Sequence, residues 1–115
     1  MEKAVEAIRN LRLEVESLKR WGARVGKAPE LLKTLEDVAV KAASKDDIKT
    51  VYEIEALVVK VYETVINYSY KEHYLYELAR MTIAFCDIHE DVCHEYKLDK
   101  LVHEYVSSML QLDLP

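Results

Sequence analysis

Between Glu30 and Leu114 the chain has neither glycine nor proline, and asparagine occurs only twice, at Asn10 and Asn67. Sheets need tight turns built on these residues, so their scarcity argues against a sandwich or barrel. It also leaves no material for a glycine-rich phosphate cradle or an oxyanion nest outside residues 22–29, where Gly22, Gly26 and Pro29 sit together. Long uncharged runs are missing too. None approaches the ~20 apolar residues of a membrane-crossing helix. The opening Met1–Glu6 is charged where a signal peptide is apolar. A soluble, cytoplasmic protein is therefore expected. Glutamine occurs once, beside abundant Glu, Lys, Val and Tyr. That bias resembles thermophile proteomes, in which ion pairs rise and thermolabile amides fall.

What remains is a vocabulary of helix formers. With 115 residues, half of them apolar, one all-α helical bundle over residues 1–115 is expected. The pattern predicts four or five mostly antiparallel helices, over residues 2–21, 29–43, 45–68, 70–96 and 99–112. In the first, Ala4, Ile8, Leu11, Val15 and Leu18 alternate at heptad spacing and form one unbroken seam. Pro29 suits the opening of the second, whose core stripe is Leu31, Leu35, Val38 and Ala42 with Leu32 and Ala39 alongside. The segment 44–47 offers a cap for the third helix.

The third helix carries two neighbouring apolar stripes. One is Val51, Ile54, Val58, Val61, Val65 and Tyr68; the other is Ile48, Tyr52, Val59, Tyr62 and Ile66. Only a narrow strip around Glu53, Lys60 and Asn67 is left for water, so this helix is expected at the centre of the bundle. Residues 69–72 have capping-box spacing and start a fourth helix that buries Leu75, Leu78, Thr82, Phe85, His89, Val92 and Tyr96. Asp99 is the expected cap of a last helix carrying Leu101, Val102, Tyr105, Met109 and Leu112. An unbroken helix over 70–112 fits the same pattern.

Net charge is −5, unevenly divided: residues 1–50 carry +2 and residues 51–115 carry −7. The acidic half disfavours bulk binding to nucleic acid. Arg9, Arg12, Lys19, Arg20, Arg24 and Lys27, around Trp21, form the one basic stretch that could hold an anion or a nucleic acid. The plainer expectation is a solvated helix face that complements the acidic half.

Cys86, His89, Cys93 and His94 form the one cluster with metal-ligand chemistry, of a kind that suits zinc. All four fall in one expected helix, whereas structural zinc sites gather ligands from separate segments. Core packing, with no bound metal or cofactor, is therefore expected. In a straight helix the Cα atoms of Cys86 and Cys93 stand ~10 Å apart, beyond a disulfide's reach, so no disulfide is expected either. His89-Glu90-Asp91-Val92-Cys93 resembles the zinc-protease signature but has cysteine where the second histidine belongs. No Glu-x-x-His pair of the di-iron type occurs; Asp91-x-x-His94 is the nearest approach. No nucleophile–base pair stands out, and no catalytic residue is expected.

The functional expectation is a non-enzymatic interaction or scaffold module, self-associating and serving as a small subunit of a larger assembly. Ile8 and Val15 at one heptad position with Leu11 and Leu18 at the other favour a dimer. Trp21, Tyr70, Tyr74 and Tyr76 are the expected additional interface residues, because large amphipathic rings suit such surfaces. The alternatives are a nucleic-acid-binding accessory subunit using Arg9 to Lys27, and a metal-binding helical protein using the Cys–His cluster.

Overall fold

The computed structural model describes residues 1–20, 28–68 and 73–101, together with residues 103, 104 and 107. Among these, every regular element is an α-helix: α1 Glu2–Arg20, α2 Ala28–Ser44, α3 Ile48–Tyr68, α4 His73–Ile88 and α5 Glu90–Glu95. Residues 98–101 are helical again. Helices α1, α2 and α3 pack against one another in all three pairings, α4 lies against α3, and α5 against α4. The Cα extents are 47 × 30 × 16 Å, so the thinnest direction is about two helices deep. A helix in such a slab keeps one side toward solvent.

The core is assembled from the expected stripes. Ala4, Ile8 and Val15 of α1 are buried, and Leu11 and Leu18 pack at its margin. Leu31, Leu32, Leu35, Val38, Ala39 and Ala42 of α2 are all buried, as are Val51, Ile54, Val58, Val61 and Val65 of α3. Burying side chains of this size contributes ~1.5–3 kcal/mol each, which is what orders the three helices. On α4, Leu78 and Thr82 reach the core, and the Thr82 hydroxyl donates to the Leu78 carbonyl at 2.8 Å. That back-bond satisfies a polar group with no access to water.

The turns show how a chain without glycine manages them. Helix α2 ends with Asp47 N donating to Ala42 O at 2.9 Å and Asp46 N donating to Ala43 O at 3.1 Å. This is a Schellman ending, which needs a left-handed residue, and Asp46 takes it at φ 57°. Aspartate tolerates that region better than most residues. Asp47 then caps α3, accepting from Thr50 N at 3.2 Å and from Thr50 Oγ1 at 2.6 Å. Those two bonds hold the Asp47 carboxyl below its usual pKa. The expected cap in 44–47 is thus present, but helix α3 begins at Ile48 rather than at residue 45. Lys45 in this turn reaches Glu95 of α5 at 2.8 Å and lies 5.7 Å above the Tyr96 ring.

The fourth expected helix is corrected. It stops at Ile88, and His89 (φ −121°, ψ 57°) separates it from the short α5. A second turn follows at Tyr96–Lys97, where Lys97 adopts φ 60°. A break near residue 97 was one of the two patterns compatible with the sequence. Helicity resumes at Leu98, so Asp99 lies inside the new turn of helix rather than capping it.

Candidate interaction surface

Helix α3 uses only one of its two apolar stripes in the core. The second stays outside: Ile48 is 54%, Tyr52 53%, Val59 38% and Ile66 49% exposed. The expectation that α3 is enclosed on nearly all sides is therefore corrected. Helices α1 and α2 cover one flank and α4 the other, and in a two-layer slab nothing among the described residues lies over the third. Tyr62 is the exception within the stripe. It is partly buried against the core, and its interaction with the Glu14 carboxylate, together with burial, holds the phenol above its usual pKa.

The exposed positions recur at four and seven residues, so they form a line ~27 Å long rather than scattered patches. Helix α4 adds Tyr76, Ile83 and Ile88, all exposed. Between α3 and α4 runs an open groove of about 380 Å³ whose lining includes Leu57, Lys60, Met81, Phe85 and Ile88. His89 lines it as well. Its Nδ1 lies 3.1 Å from Glu53 Oε2 on α3, and its ring meets that of Phe85 with centroids 4.7 Å apart.

The expected interface on α1 is corrected. Ile8 and Val15 have no accessible surface, and Leu11 and Leu18 pack against the same core, so the seam is used inside the monomer. A heptad pattern marks a face that meets helices, and here α2 and α3 are those helices. Of the aromatic candidates, Tyr76 is exposed. Trp21 and Tyr70 lie outside the described residues, as does the side chain of Tyr74.

Two of the basic candidates are engaged within the fold. Arg9 Nε donates to Glu36 Oε1 at 2.9 Å, and Arg12 binds Glu36 Oε2 through Nε and Glu16 Oε1 through Nη1, the latter at 2.7 Å. The Glu36 side chain is only 4% exposed. Burial alone would raise its pKa, but the hydrogen bonds from Arg9 and Arg12 outweigh that and hold it below the usual carboxylate value. Arg24 and Lys27 lie outside the described residues, as do the side chains of Lys19 and Arg20. Glu36 itself drew no attention in the sequence. It sits one residue after Leu35 in the buried stripe of α2, opposite two arginines spaced one helical turn apart, and that coincidence was the available signal.

The Cys–His cluster is also rearranged. Cys86 and Cys93 form a disulfide with their Cα atoms 5.4 Å apart. The exclusion of this bond assumed a straight helix; the break at His89 folds α5 back and removes the axial separation. His89 turns to Glu53, and His94 is exposed. A thiolate metal site on these residues and this disulfide exclude one another, because the bond consumes both thiols. Reduction, or Cys86→Ser with Cys93→Ser, should lower the melting temperature by ~10 °C, since closing so short a loop is worth ~2.5 kcal/mol and ~1 kcal/mol shifts a chain of this size by ~4 °C. Thiol titration of the denatured, unreduced protein checks the bond itself. Two reactive thiols per chain would contradict it.

Compared with known protein families, characterised proteins and solved structures, the chain matches none.

Proposed function

We propose that the protein is a non-enzymatic helical interaction module that associates with itself and works as a small subunit of a larger assembly. The observation that supports this reading is the line Ile48–Tyr52–Val59–Ile66 on the open side of α3. Single exposed apolar residues are ordinary on any surface. A continuous line at helix-pairing spacing is different, because it presents what a second helix packs against. The seam of α1 no longer serves this role, so the proposed contact moves from the first helix to the third. The engagement of Arg9 and Arg12 with Glu36 counts against the nucleic-acid alternative, since those guanidinium groups already hold a carboxylate.

The proposed location is the cytoplasm. A disulfide there fits the thermophile-like composition, because intracellular proteins of hyperthermophiles are often disulfide-rich. No described helix is long and apolar enough to cross a membrane.

Light scattering tests the reading. At ~200 µM, a concentration chosen to reveal a modest interface, the wild type should give twice the chain mass of 13.4 kDa or more. Val59→Lys with Ile66→Lys should return the mass to that of one chain while the circular dichroism spectrum stays helical. A wild type that is monomeric at this concentration, or a double variant that keeps the larger mass, would refute the proposed surface.

A further inference from the structure

The outer stripe of α3 carries charges whose order along the helix complements itself in only one direction. We propose that α3 pairs with α3 of a second copy, antiparallel, about a two-fold axis near Leu57. This deepens the reading above and rests on it for the fact of self-association; the orientation and the pairing residues are the new content.

The stripe begins and ends in isoleucine. Alignment about its midpoint sets Ile48 against Ile66 of the second copy at both ends, and Tyr52 level with Tyr62 of the second copy. Ala56, exposed and next to the axis, gives the two backbones room to approach. Lys49 and Glu63 are both exposed, and helical spacing sets them on the same flank of the stripe, the one toward α4. In the antiparallel alignment Lys49 stands two residues, or ~3 Å of rise, from Glu63 of the second copy, and the two-fold axis repeats that pair.

A parallel alignment does the opposite. Its two-fold axis runs along the helices and carries the flank of Lys49 and Glu63 to the far side of the second copy, so neither pair can form. Within its own chain Lys49 makes a long, 3.8 Å contact with Glu53, and its side chain is 84% exposed. Exposed pairs of this kind contribute little, so Lys49 can exchange partners at small cost.

The test is a charge-swap mixing experiment by sedimentation equilibrium, run in low salt because exposed pairs are screened. Lys49→Glu alone and Glu63→Lys alone each turn both attractive pairs into repulsive ones and should weaken the dimer ~10-fold. Mixed in equal amounts, the two variants restore attraction at both pairs, and the mixture should regain wild-type affinity. The restoration should fade at ~1 M salt, where the screening length is ~3 Å. A mixture that associates no more tightly than either variant, beside a dimeric wild type, overturns the antiparallel register but leaves self-association standing. Variants that dimerise as tightly as wild type overturn it as well. A wild type monomeric at ~200 µM removes both the register and the functional reading beneath it.

Discussion

Replacing Glu36 by alanine is expected to lower the melting temperature by about 12 °C at neutral pH, the equivalent of ~3 kcal/mol. Glu36 is buried against α1 and holds the guanidinium groups of Arg9 and Arg12. Removing it leaves the largely buried Arg12 paired with Glu16 alone among the described residues. Taking away one partner of a buried pair costs ~3–5 kcal/mol, and the low end applies because the Arg9 side chain is half exposed. The effect has a pH signature of definite sign. The folded pKa of Glu36 lies below the reference value of 4.5, so its contribution is complete above that value and is lost as pH falls through the folded pKa. Thermal melts of wild type and Glu36→Ala should therefore differ by a constant amount from about pH 6 to 8 and converge in acid, below ~4. A gap that persists unchanged at pH 3 would mean that packing, not the ion pair, carries the loss.

The heptad and stripe patterns made the all-α architecture and most core positions readable from the sequence. Leu31, Leu35, Val38 and Ala42 on α2, and Val51, Ile54, Val58, Val61 and Val65 on α3, are buried as their spacing implies. Periodicity identifies faces that prefer not to meet water; it does not say which neighbour covers them. That is why the α1 seam, a plausible dimer contact, turned out to close the monomer. The second stripe of α3, a plausible core face, lies open for the same reason. The breaks were hard to read for a different cause. Left-handed residues usually advertise themselves as glycine, but here Asp46 and Lys97 fill those positions. The interruption at His89 has neither glycine nor proline near it, and with it went the disulfide. The buried Glu36 was hidden because its partners are far off in sequence, on another helix.

The two heptad-spaced surfaces have exchanged roles: the α1 seam faces inward and the outer stripe of α3 faces out. Placing one lysine in each surface separates the roles by the largest margin available. Val15 is fully buried, and Val59 is 38% exposed. Val15→Lys removes a packed side chain and forces an ammonium group into the core, a cost of ~5 kcal/mol or more against a total stability of ~5–15 kcal/mol. Val59→Lys keeps its charge in water, where surface changes stay within ~0.5 kcal/mol. The decisive measurement is the thermal melt of both variants by circular dichroism at ~5 µM, dilute enough that association contributes little. Val15→Lys should be unfolded, or melt at least ~20 °C below wild type, while Val59→Lys should melt within ~3 °C of it. A cooperative, near-wild-type melt for Val15→Lys together with an unfolded Val59→Lys would show that the α1 seam lies outside the core and the α3 stripe within it.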